Sequence, residues 1–211
     1  MIVVSELNTY FIDNWSLIIS LIIDHMKLYL ITIIAATLVG LVLGVLITKS
    51  KKLGFIVPLF NSLQAAPDLV LLALALYFLG IGAYSALAAF FVKGILPIIR
   101  NTYSGIISID QNIIEAAKGM GMSPWQILIN VELPVALPII VAGVRVASVI
   151  AISVLTLSAY IGVSSLGVLI VRGIAMGNSQ ALVIGSALTA IMAIAMNYVL
   201  SILENKLSKR S

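Results

Sequence analysis

From Leu28 to Ile47 the chain runs 20 residues without a charged side chain, and Lys49, Lys51 and Lys52 close the stretch. A helix of about 20 residues, rising about 1.5 Å each, matches a hydrocarbon core of roughly 30 Å, so this stretch reads as a membrane span. Four more stretches follow the same rule. One runs from about Phe55 to Leu79, is interrupted by Asn61, Gln64, Pro67 and Asp68, and ends at Gly80-Ile81-Gly82. Another, about Tyr84 to Ile99, carries Lys93 and stops at Arg100; the last two lie within Pro138 to Ile161 and about Ala181 to Leu203. With 62% hydrophobic residues, 9% charged and a mean hydropathy of +1.20, the chain is far from a soluble domain. None of the stretches alternates with a period of two, which argues against a barrel. The expectation is an all-α integral membrane protein with five transmembrane helices.

Basic residues orient such a bundle. Placing the N-terminus outside puts Lys49, Lys51, Lys52, Arg100, Lys118, Lys206, Lys209 and Arg210 in the cytoplasm, leaves Lys27 and Arg172 outside, and keeps Lys93 and Arg145 within spans. The expected parts are an outer-face segment 1–27, a transmembrane domain 28–203 and a cytoplasmic tail 204–211. In the first part Trp15 and the apolar run Leu17 to Ile23 are expected as a helix on or in the outer interface. Lys27 is the first basic residue, after Glu6, Asp13 and Asp24, so the start does not read as a cleavable leader. The absence of cysteine excludes disulfides, thiolate metal sites and a thiol nucleophile, and a single histidine leaves no His cluster. No metal site is expected.

The longest polar region, Asn101 to Glu132, is patterned as folded structure. Ser108-Ile109-Asp110-Gln111 reads as a capping box for one short helix, and Ser123-Pro124-Trp125-Gln126 as a second with Ser at the N-cap, Pro at N1 and Gln at N3. Gly119-Met120-Gly121 supplies a turn between them. Glu115-Ala116-Ala117 on the first helix offers one charge, and two small residues would let a partner approach the backbone. Such a loop suits docking to another protein.

Glu115-Ala116-Ala117, then Gly121, then Val131-Glu132-Leu133-Pro134, resembles the EAA signature of binding-protein-dependent ABC importer permeases, with Val131 where the pattern usually has Ile. Leu96-Pro97-Ile98-Ile99-Arg100-Asn101-Thr102-Tyr103-Ser104-Gly105 and Glu115 to Gln126 resemble the osmoprotectant subfamily, and the likeness runs from about Asp24 to the C-terminus. The resemblance implies a type I importer fold in the bacterial inner membrane, with a coupling loop 101–134. It also implies a second permease subunit, identical or paralogous, ABC ATPase subunits, and a substrate-binding protein that delivers glycine betaine, carnitine, choline or a related solute. Glu115, Ala116, Ala117, Gly119, Gly121, Ser123, Trp125, Leu133 and Pro134 are the expected coupling-loop residues. No GxxxxGK[ST] phosphate loop is present, so ATP and Mg are expected on the partner ATPase, and this chain is expected to bind no cofactor and to have no catalytic residues. The alternatives are a permease for amino acids or another small solute and, more remotely, a channel subunit. An intramembrane enzyme fits poorly, because Asp68 is the only carboxylate within the expected spans and the histidine lies outside them.

Asn61, Gln64, Pro67, Asp68 and Lys93 are candidates for the translocation path. The subfamily usually has Ser where this chain has Asp68, and an apolar or aromatic residue where it has Lys93. A lone charge at these depths, roughly 10 Å for Lys93 and 15–20 Å for Asp68, is costly. Three readings stand: an internal ion pair, an Asp68 that meets a cationic substrate, and separate water-facing positions. Gly162, Ser164, Ser165 and Gly167 occupy the place of a glycine-rich turn near the outer gate, with serines replacing two glycines. Arg145 is expected to snorkel toward phosphate or to pair with Glu132. His25, after Asp24, reads as a satisfied interfacial histidine, and Trp125 as either a docking residue or part of the loop's own core. The spans hold few aromatics for an aromatic cage, which points to the binding protein as the seat of selectivity.

Overall fold

The structure is a computed structural model that describes residues 2–50, 53 and 55–209. All regular structure among the described residues is helical, in the order α1 (Ile2–Asp13), α2 (Trp15–Lys49), α3 (Ile56–Gln64), α4 (Asp68–Leu79), α5 (Ala83–Ile107), α6 (Gln111–Gly119), α7 (Pro124–Ile127), α8 (Leu133–Leu157), α9 (Gly167–Met176) and α10 (Ser179–Ser208). A π turn, Leu128–Glu132, joins α7 to α8, and a 3-10 turn, Ser158–Ile161, follows α8. By length and composition α2, α5, α10 and the stretch Pro124–Ile161 are long and apolar enough to cross a membrane, whereas α4 and α9 are shorter apolar helices.

Several expected boundaries move. The run Leu17 to Ile23 is no separate interfacial helix: α2 continues unbroken through 35 residues, so the expected boundary at 27 falls inside it. Nothing between Trp15 and Lys49 breaks a helix, and the chain interrupts itself instead at Asn14. The second expected span is broken at Ala65-Ala66-Pro67, where Pro67 adopts φ −59° and ψ 143° ahead of α4. Proline also pushes the residue before it out of the helical region. α5 passes through Arg100 to Ile107, α8 reaches back to Leu133, and α10 runs through Glu204 to Ser208. α9 had no counterpart in the expectations.

α5 is the central element, packed most extensively on α8 and α2 and carrying α3 and α4 on another side. Phe90, Leu96, Ile98 and Ile99 of α5 are fully buried, as are Ile152 and Leu155 of α8. In a bilayer, lipid tails are as apolar as leucine, so small residues that bring backbones together and interhelical hydrogen bonds replace water exclusion as the source of cohesion. Gly143 of α8 meets the first requirement: a Cβ there would lie 2.7 Å from the Pro97 carbonyl oxygen of α5. The second is met by the Tyr29 hydroxyl and Ser148 Oγ, 2.6 Å apart in the buried contact of α2 with α8.

Candidate functional site

The break between α3 and α4 is held from one residue of α5. Lys93 Nζ lies 2.6 Å from Asp68 Oδ1, with side chains only 18% and 26% exposed. Asp68 is the first residue of α4, where the exposed N–H groups of the helix favour a negative charge. The backbone of the same lysine is engaged as well. Pro97 stands four residues on and has no N–H, so the Lys93 carbonyl loses its helical partner; Gln64 Nε2, at the end of α3, donates to it at 2.6 Å. Lys93 thus ties α3 through its carbonyl oxygen and α4 through its ammonium. Of the three readings of the two charges, the geometry is that of the internal pair. Pro67 sits at the break itself, and the side chain of Asn61 lies outside the described residues.

The polar loop has the expected two short helices, but the first cap is shifted. Asp110, not Ser108, is the N-cap of α6 and accepts from the Asn112 N–H at 2.9 Å. Ser108 ends α5, its Oγ donating to the Gly105 carbonyl oxygen. The second box is present in full: Ser123 Oγ accepts from the Gln126 N–H, and Gln126 Oε1 accepts from the Ser123 N–H at 2.8 Å. Gly121 turns the chain between the helices at φ +78°, a conformation that glycine adopts without strain. Glu115, Ala116, Gly119, Gly121, Ser123, Trp125 and Pro134 are exposed and Leu133 is half-buried. Ala117 corrects the expectation of two small residues facing a partner. It is 1% exposed, because adjacent helical residues point about 100° apart and the second alanine faces the loop's interior. Trp125, 67% exposed, is not part of a loop core.

The Leu128–Glu132 turn that joins this loop to α8 is anchored to α2. Lys49 Nζ donates to both Glu132 oxygens at 2.9 and 2.8 Å, and Glu132 is buried. Arg145 therefore does not pair with Glu132. It pairs with Glu204 of α10 at 2.8 Å, since Glu132 already has a nearer cation and α10 extends far enough to present Glu204.

At the other end of the bundle, residues 162–167 form the turn between α8 and α9. Gly162 adopts φ +79°; Gly167 is buried against the Thr156 carbonyl oxygen; Ser164 Oγ donates to Asp24 Oδ2 at 2.8 Å. His25 is fully buried within the fold, and its Nδ1 accepts from the Leu166 N–H at 3.3 Å. That bond makes Nε2 the protonated nitrogen of a neutral ring, and among the described residues both this nitrogen and Ser165 Oγ lack partners. Adjacent residues of α2 thus hold both sides of the turn. Sequence reasoning noticed Asp24-His25 but not what it grips, because nothing local to residues 24–25 points 140 positions ahead. The Gln64 bond did have a local signal, since a proline at 97 frees the carbonyl at 93.

The profile of a family described as "Binding-protein-dependent transport system inner membrane component" matches residues 36–211. The chain is 38% identical over 210 residues, 99% of its length and 92% of the relative's, to the glycine betaine/carnitine/choline transport system permease protein OpuCD of Bacillus subtilis. It is 34% identical, over 96% of this chain and 94% of the relative, to the carnitine transport permease protein OpuCB of Listeria monocytogenes. Among solved structures, the MetNI methionine ABC transporter in inward-facing conformations superposes with a TM-score of 0.81 at 19% identity, covering 92% of this chain and 98% of that one, a likeness of fold.

Proposed function

Because this chain belongs to the binding-protein-dependent transport system inner membrane components, the multi-pass permeases of ABC importers, we propose that it translocates a small quaternary amine osmoprotectant of the glycine betaine, carnitine and choline type. The carrying observation is the near-full-length similarity to permeases named for those solutes. Membership of the family leaves no room for the channel alternative.

In this reading the chain crosses the membrane five times. The four long helices account for four crossings and the broken pair α3–α4 for the other, with α1 and the start of α2 outside and the end of α10 in the cytoplasm. The segment 101–134, which takes in the last turns of α5, is the coupling element: Glu115, Ala116, Gly121 and the exposed Trp125 face a groove on an ATPase subunit, which binds ATP and Mg, while Ser123, Leu133 and Pro134 set the loop's shape. What supports this role is a loop folded by its own caps and joined to α2 through Lys49 and Glu132, so that a displacement at α6 reaches two spans. Gln64, Pro67, Asp68 and Lys93 organise the path, with Asn61 on α3 beside them. The 162–167 turn, with Gly162, Ser164, Ser165 and Gly167, forms the outer gate, where a binding protein releases its solute. A second permease subunit completes the pathway.

The test is reconstitution with the ATPase and binding protein. Glu115→Lys reverses the docking charge, and Gly121→Trp adds bulk at a positive φ where side chains are strained. Each is expected to lower substrate-stimulated ATP hydrolysis by about tenfold, corresponding to about 1.4 kcal/mol of lost coupling, with the permease still inserted. Normal stimulation in both variants would remove the coupling role from this loop.

A further inference from the structure

A cavity of about 410 Å³ opens between α3, α5 and α8, lined by Gln64, Pro97, Arg100 and Asn101 and walled by Val146 and Ile150 of α8. We infer that this cavity is a transit site for the carboxylate end of a zwitterionic quaternary amine, with Arg100 as the group that receives it. The inference rests on the osmoprotectant reading and narrows it to those solutes that carry a carboxylate.

The electrostatics select the charge of the ligand. Lys93 and Arg100 stand seven residues apart on α5, two turns along one face. Lys93 is neutralised by Asp68. Arg100 is exposed, and among the described residues neither its guanidinium nor the Asn101 amide has a hydrogen-bond or ion-pair partner. One uncompensated cation beside the cavity therefore sets its sign. A guanidinium offers a planar fork of N–H donors that matches a carboxylate with two parallel hydrogen bonds, and the neighbouring amide adds a neutral donor.

The position and size select its class. Gln64 is held against the Lys93 carbonyl oxygen at 2.6 Å, which fixes that wall, and Asn101 is seated against Gly143, whose missing Cβ leaves its Nδ2 room. The volume falls in the range of small-molecule sites, about 300–1,000 Å³. Arg100 lies seven residues before the end of α5, about 10 Å along the axis, which in the proposed orientation is the cytoplasmic mouth of the pathway. Gln64, Arg100 and Asn101 place on this wall polar groups that acyl chains cannot satisfy. Choline has no carboxylate and gains nothing from this site, so its uptake is the control against which the cavity is tested.

The experiment uses the complete importer in proteoliposomes of zwitterionic lipid and measures uptake of glycine betaine, carnitine and choline. Arg100→Gln is expected to lower the ratio of carboxylate-bearing to choline uptake by about tenfold, the equivalent of about 1.4 kcal/mol. Arg100→Lys, which keeps the charge without the fork, should recover part of that ratio, and the folded yield of each variant controls for insertion. If wild type carries no choline, the maximal rate of glycine betaine uptake replaces the ratio and should fall by the same factor. An unchanged ratio or maximal rate overturns the transit site, as does a loss that follows added anionic lipid instead of the solute, which would assign Arg100 to a headgroup. Wild-type uptake of choline alone overturns the transit site and spares the osmoprotectant reading. Uptake of none of the three overturns the osmoprotectant reading itself.

Discussion

Asp68 and Lys93 show how a charge is tolerated where the surrounding chain is apolar. Either alone, buried without its partner, costs about 3 kcal/mol or more, whereas the two together are mutually satisfied at 2.6 Å. Asp68→Asn and Lys93→Met are each expected to reduce the thermal stability of the purified permease, and the double change to recover most of the loss. The observable is the coupling in a double-mutant cycle; a coupling near zero removes the pair. This contact was legible beforehand only as one of three readings of two unexpected charges, expected at depths of roughly 10 Å and 15–20 Å, a gap that a long lysine spans. The pairing of Arg145 was not, because Glu132 and Glu204 are both plausible in sequence and only the full extent of α10 decides between them.

The broken pair α3–α4 is an element whose shape depends on another element's proline. Pro97 removes a helical hydrogen bond from α5 and thereby creates the acceptor that Gln64 uses. Gln64→Leu should cost about 1–3 kcal/mol, because it leaves the Lys93 carbonyl without a donor. In a Pro97→Ala background the Lys93 carbonyl regains a backbone donor, so the cost of Gln64→Leu should shrink to a few tenths of a kcal/mol; equal costs in both backgrounds contradict this account. Elements were legible where one local rule decided them. The Ser123 box was read in full because its two hydrogen bonds lie within four residues. The Ser108 box failed because α5 runs on to Ile107 and consumes Ser108 as its own end, leaving Asp110 to cap. The continuity of α2 was not legible, because Asp24-His25 and Lys27 interrupt the apolar pattern and nothing local shows that His25 is buried and Asp24 bonded to Ser164.

For the whole molecule, the basic residues argue one orientation, and the chain's lack of cysteine makes it simple to test. A single cysteine at position 112, on exposed α6, is expected to resist an impermeant thiol reagent added to intact cells and to react once the membrane is opened; labelling from outside reverses the topology. The overall helical architecture was legible from hydropathy, while α9 was not, since ten residues are too few to register as a crossing. The three ion pairs of the described residues also bear on how the chain enters the membrane as it is made. Asp68 leaves the ribosome 25 residues ahead of Lys93, Lys49 waits 83 residues for Glu132, and Arg145 waits 59 for Glu204. An aspartate at the centre of a nascent span costs roughly 2.5–3.5 kcal/mol on insertion scales, and the pair α3–α4 has neither length nor continuity to offset it. On the proposed five-crossing reading, these two half-helices are expected to wait at the translocon until α5 emerges and to enter the lipid with it, a first group of helices that ends only after Lys93.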